Sequence, residues 1–265
     1  MIFSDLLVDY SAQTIITLVI FSFIAGLIDA VVGGGGLVQT PALLINFPNS
    51  PLATILGTSK IAMLSGTSVA AYKYSKRIKF DFTLLFIIAF FASSASFLGA
   101  KAVSFINANT VKPLILILLV IIAVYTFFKK DLGSVETKTL PRNKQIIFGS
   151  LIGLVVGFYD GFFGPGAGSF FALGFVVILG FEFITASAYS KIINCFTNIS
   201  ALSVFIRQGN YLLDIAILMA VCNILGSIVG TKIALKKGNS FVRMIFLIVV
   251  TMMILRYAYD LFIKN

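Results

Sequence analysis

The 265-residue chain is 59% hydrophobic and only 11% charged, with a mean hydropathy of +1.04, whereas a soluble domain carries about 45–50% apolar and about 25% charged residues. It cannot cover a water-facing surface, so it reads as an integral membrane protein, and a disordered chain, a secreted disulfide scaffold and a soluble nucleic-acid binder are excluded. The net charge of +10 is then read as Lys and Arg retained in cytoplasmic loops rather than as a nucleic-acid footprint.

Taken in order, apolar runs cover 11–31, a short 37–47, then 51–74, 80–103 and 111–128. The polar stretch 129–144 separates them from 145–162, a short 166–180, and three long runs at 183–206, 211–235 and 241–262. A membrane helix needs about 20 apolar residues, so eight runs are long enough to span. The two short runs are expected as half-helices or re-entrant segments. The first run is flanked by Asp5 and Asp9 rather than by basic residues, which argues against a signal peptide. Cys195 and Cys222 lie in apolar runs and are expected to pack without forming a disulfide. Without Trp, Tyr72, Tyr74, Tyr211, Tyr257 and Tyr259 are the candidate interface anchors.

Sliding the chain on itself by 131 positions aligns Gly26 with Gly157, Asp29 with Asp160, Gly33 with Gly164 and Ser59-Lys60 with Ser190-Lys191. Apolar matches are cheap in this composition; matched Asp and Lys inside apolar runs are not. The chain therefore reads as a duplication: residues 1–128, a cytoplasmic linker at 129–144, and residues 145–265. Basic residues then set orientation. Loop 73–79 holds Lys73, Lys76, Arg77 and Lys79 while its counterpart 204–210 holds only Arg207, and the bias reverses between 101–112 and 232–243. That pattern predicts an all-α fold of two inverted repeats, each of about five helical segments, with Gly-interrupted short helices near the midplane. The expected location is the cytoplasmic (inner) cell membrane, crossed many times.

Charges at membrane depth usually face a partner or a water-filled cavity. Lys60 and Lys191 sit well inside their runs, and the expected role is two cations facing one cavity. The Gly-rich turns at 33–36 and 164–168 must be buried or line that cavity. Each leads into a short helix whose N-terminal N–H groups suit an anion, which makes Gly34, Gly35, Gly36, Gly166, Ala167 and Gly168 candidate substrate contacts. Paired Gly-interrupted segments in two inverted halves mark a transporter site. Ser59, Ser190, Asn194, Asn198 and also Thr58 are the candidate neutral hydrogen-bonding groups. Asp29 and Asp160 are expected to cap the short helices or offset the lysines, with proton relay as the sharper alternative.

The segments Gly26–Gly36 and Gly157–Gly168, with Gly57-Thr58-Ser59-Lys60 and Ser190-Lys191-Ile192-Ile193-Asn194 followed by Asn198, resemble the signature motifs of the TauE/SafE sulfite exporter family. The resemblance implies a secondary carrier of small sulfur-containing anions such as sulfite or organosulfonates. The implied partners are that anion, the lipid bilayer and protons as candidate coupling ion, with no nucleic acid. No cofactor or metal is expected, since histidine, the commonest metal ligand and general base, is absent. A passive anion channel is the first alternative. An intramembrane enzyme is the weaker one, because no Ser or Cys lies beside a plausible base.

Overall fold

The computed structural model describes residues 10–103 and 140–262. The expected run at 111–128 and most of the polar linker lie outside the described residues. All regular structure within them is helical: α1 (Ala12–Val32), α2 (Gly36–Asn46), α3 (Leu52–Ser75), α4 (Phe82–Ala102), α5 (Arg142–Phe162), α6 (Ala167–Gly174), α7 (Phe183–Arg207), α8 (Leu213–Lys237) and α9 (Asn239–Phe262). The short α6 continues as one π-turn, Phe175–Leu179.

Local chemistry places the helix ends. Ser11 caps α1, accepting from the Thr14 N–H at 3.1 Å, and Asp81 caps α4 by accepting from the Leu84 N–H. Gly33 ends α1 with φ 87° and hands its N–H to the Asp29 carbonyl. Its counterpart Gly164 sits at φ 90°. This left-handed conformation is costly for any residue with a Cβ, so both turns need glycine.

Four described helices, α1, α4, α5 and α8, are long and apolar enough to cross a membrane. α3 and α7 are as long, at 24 and 25 residues, but fall outside that set. They hold the buried polar residues, among them Thr58, Ser59, Lys60 and Thr67 on α3 and Ser190, Lys191, Asn194 and Asn198 on α7. Those two helices therefore form the polar centre, while the outward faces of the others carry exposed Phe, Ile and Leu. Tyr72 and Tyr259 are exposed as interface anchors would be, and Tyr211 is half-buried. Tyr74 departs from that expectation: it is fully buried and donates its hydroxyl to the Ala30 carbonyl. The Tyr257 side chain lies outside the described residues. Both cysteines are free.

The halves make reciprocal contacts at the 131-residue offset. Ser96 Oγ donates to the Thr197 carbonyl at 2.9 Å, and Ser227 Oγ to that of Gly66 at 2.6 Å. A Cβ on Gly26 would stand 2.3 Å from the Asn223 carbonyl oxygen, and one on Gly157 2.4 Å from that of Ala92. These glycines let helices of opposite halves approach backbone to backbone. Direction can be read from the same contacts. Thr58 accepts from the Leu212 N–H, Ser227 reaches Gly66, and Lys73 reaches the Ile228 carbonyl, so α3 and α8 run the same way. Asp81 donates its N–H to the Tyr189 hydroxyl, and Ser200 donates to the Ser93 carbonyl, so α4 and α7 run together. Gly57 packs against Phe205, Lys60 meets Asn198 and Ser68 meets Cys195, so α3 runs against α7 and, by the two parallel pairings, α4 runs against α8.

Candidate functional site

Two buried ion pairs occupy the centre, and each joins one half to the other. Lys60 Nζ lies 3.0 Å from Asp160 Oδ1, and Lys191 Nζ lies 3.2 Å from Asp29 Oδ2. A lysine thus pairs with the aspartate of the opposite turn, not with that of its own half. Neither aspartate caps a short helix: α2 and α6 begin at Gly35 and Gly166 without a side-chain cap.

The equivalent pairs have different surroundings. Lys60 also donates to Asn198 Oδ1 at 2.9 Å, Asn198 Nδ2 donates to Asn194 Oδ1 at 3.1 Å, and Asn194 Nδ2 reaches Asp160 Oδ2 at 3.5 Å. These contacts close a ring of four side chains, with the last as its weakest link. Around the second pair, Met63 and Thr67 stand where Asn194 and Asn198 stand in the other half. Thr67 donates to Asp29 Oδ2 at 2.9 Å, whereas Asp29 Oδ1 is buried without a hydrogen-bond partner among the described residues. Lys191 has no exposed surface at all.

The Lys60 pair faces a polar recess between the two glycine turns. Its walls include Thr40, Ser59, Lys60, Asp160, Asn194 and Asn198, with Gly33, Gly164 and Gly168 from the turns. The free volume is about 10 Å³, room for a single water. A larger cavity of about 290 Å³ lies between α1, α2 and α9, lined mainly by apolar groups such as Phe21, Ile28, Leu37 and Val249. Among the described residues none that lines it is charged, so the smaller recess is the better candidate.

Of the residues expected at the site, the recess gathers Lys60, Ser59, Asn194, Asn198, Asp160 and Gly168. The others serve elsewhere. Gly34 borders the apolar cavity, Gly35 packs on the Ala25 carbonyl and the Asp29 side chain, and Gly36 packs on Pro165 and Met63. Gly166 takes φ 87° to start α6, and Ala167 is buried behind it. Ser190 donates to the Gly168 carbonyl at 2.7 Å. Thr58 holds the start of α8 through Leu212.

Three residues enter that the sequence did not single out: Gln39, Thr40 and Asn223, all buried. Gln39 Nε2 lies 2.9 Å from the Ser59 carbonyl and 3.2 Å from Ser59 Oγ. A carbonyl oxygen only accepts, so this contact fixes which end of the amide is nitrogen. Gln39 Oε1 then accepts from Asn223 Nδ2. Ser59 Oγ, accepting from Gln39, is left to donate its hydrogen toward Thr40, 3.5 Å away, or into the recess. A buried amide in an apolar run was the available signal for both Gln39 and Asn223. At the offset positions Gln39 is matched by Phe170 and Asn223 by Ala92, so this polar chain, which joins the second half to the first, is not repeated at the offset positions.

Comparison with known proteins bears on this arrangement. Residues 18–257 match the family model described as sulfite exporter TauE/SafE. The chain is 34% identical over 253 residues to the probable membrane transporter protein ORF9 of Sinorhizobium sp, with 95% of each chain covered. It is 32% identical to a probable membrane transporter protein of Haemophilus influenzae, covering 95% of this chain and 97% of that one. To the probable membrane transporter protein YfcA of Escherichia coli K12 it is 35% identical, covering 90% and 87%. No solved structure matches.

Proposed function

The chain belongs to the sulfite exporter TauE/SafE family and is a membrane transporter, not an enzyme; from that premise we propose that it is a secondary carrier of small sulfur-containing anions, working in the cytoplasmic membrane by alternating access. The observation that carries the proposal is the recess: a buried ammonium, Lys60, beside hydroxyl and amide donors and between two glycine turns of opposite halves. Lys60 has three N–H donors, and Asp160 and Asn198 use two of them. The third is where an oxyanion first meets Lys60, together with the Ser59 hydroxyl that Gln39 directs, before it competes with Asp160 for the ammonium.

Helices that run against their repeat counterparts support an inverted arrangement across the bilayer, in which rocking of one half on the other alternates access to a fixed site. The recess as it stands admits one water, and a sulfur oxoanion is several times larger. Binding therefore requires the turns to part, as a carrier's gates do.

The test is thermal shift of the purified protein with sulfite, thiosulfate, sulfonates and carboxylates, followed by counterflow in proteoliposomes. Stabilisation by sulfur oxyanions with trans-stimulated uptake is expected. Stabilisation by none of them would reject the anion site, and uptake without trans-stimulation would make the protein a channel.

A further inference from the structure

The two buried pairs contribute two positive and two negative charges, so the centre of the described structure is neutral before any substrate arrives. An anion entering it leaves one negative charge uncompensated in a low-dielectric interior, which is unfavourable unless another charge changes. The anion also competes with Asp160 for the same ammonium, and two anionic oxygens would then crowd Lys60. Asp160 is weakly held on its other side, where Asn194 Nδ2 stands at 3.5 Å. Resting on the anion site proposed above, we propose that the co-transported ion is a proton carried by Asp160. The carboxylate takes a proton from the water on the side of entry as the anion replaces it on Lys60, and releases it on the other side as the anion leaves. A monovalent anion then crosses with one proton and no net charge. Protonated Asp160 also turns from an acceptor into an O–H donor, which removes the acceptor that competes with the anion for Lys60.

The neighbours of Asp160 single it out. Among the described residues Lys60 on α3 is the charged group that contacts it; α7 presents Asn194 and Asn198, and α4, whose Ser96 backbone packs beside Gly161, carries as its one charge the exposed Lys101. Asp29 is the rival carboxylate because its Oδ1 lacks a partner among the described residues. Its lysine is completely buried, however, and neither member of that pair borders the recess. An anion on Lys60 does not displace Asp29 from anything.

Methanesulfonate is the probe, because it stays monovalent across the neutral range and brings no titration of its own. Calorimetry of the purified protein in buffers of different ionisation enthalpy counts protons taken up on binding. One proton per methanesulfonate is expected, with affinity falling about tenfold per pH unit as pH rises. Asp160→Asn should abolish both the uptake and the slope, and Asp29→Asn should keep both. Binding with no proton uptake overturns the coupling and leaves the anion site standing. A slope lost in Asp29→Asn and kept in Asp160→Asn moves the proton to the other pair and overturns the assignment. If neither methanesulfonate nor sulfite binds, the anion site itself falls. Should Asp160→Asn not assemble, the wild-type proton count decides alone.

Discussion

Lys60 and Lys191 occupy equivalent positions in the two halves, yet their environments assign them different work. Lys60 borders the recess, while Lys191 is sealed against Asp29 with no surface exposed. A charge-assisted contact is worth about 1.5–3 kcal/mol, so Lys60→Gln should weaken anion binding roughly ten- to a hundredfold, read by calorimetry. Lys60→Gln strands the buried Asp160 as well, whereas Lys191→Gln should act on stability alone. Stranding a buried partner costs about 3–5 kcal/mol, and the protein that survives should bind the anion with unchanged affinity. The rescue partner is on the other half: Asp29→Asn should restore thermal stability to Lys191→Gln, and Asp160→Asn should not. The rarity of buried charge made these four residues legible in the sequence. Their pairing was not, because the partners stand 100 and 162 positions apart and the same-half pairing is equally compatible with the motifs.

At the level of elements, the two short helices differ more than the repeat suggests. α2 is tied into the core by the Asn223–Gln39–Ser59 chain, whereas α6 packs through Phe170 and Phe171 into an aromatic and aliphatic cluster. Gln39→Leu should therefore destabilise the fold by about 1–3 kcal/mol, since it leaves the buried Asn223 amide unsatisfied, and adding Asn223→Leu should recover much of that loss. Thermal unfolding of the single and double variants tests this. Gly33→Ala is the harsher change. Besides the left-handed φ, the new Cβ would stand 2.3 Å from the Gly168 carbonyl carbon, which is backbone and cannot turn aside. The turn crossing should open, and thermal stability should drop well beyond the about 1–2 kcal/mol of backbone strain alone.

Across the whole molecule, the inverted arrangement proposed above predicts that the loop after α3 and the loop between α7 and α8 face opposite sides of the bilayer. Ser75 and Gln208 are both exposed in those loop regions. With Cys195 and Cys222 replaced by serine, cysteines placed singly at 75 and 208 should differ in labelling by an impermeant maleimide on intact cells. The Gln208→Cys variant should be labelled from outside, and the Ser75→Cys variant only after lysis. Equal labelling of the two would reject inversion in favour of a parallel repeat.

Composition alone determined that this chain lives in a membrane, because so few charged residues cannot solvate a surface of this size. Matched Gly, Asp and Lys at the offset of 131 within apolar runs marked the turns and the buried charges, since each is costly at that depth without a reason. Only the tertiary structure decided which lysine meets which aspartate and which pair borders the recess. Those outcomes depend on how α3 and α7 cross between the halves, and a motif read along one strand of sequence does not contain that crossing. Gln39 and Asn223 show the same limit. Each is one amide in an apolar run, and its role appears only where α2 and α8 bring the two together beside Ser59.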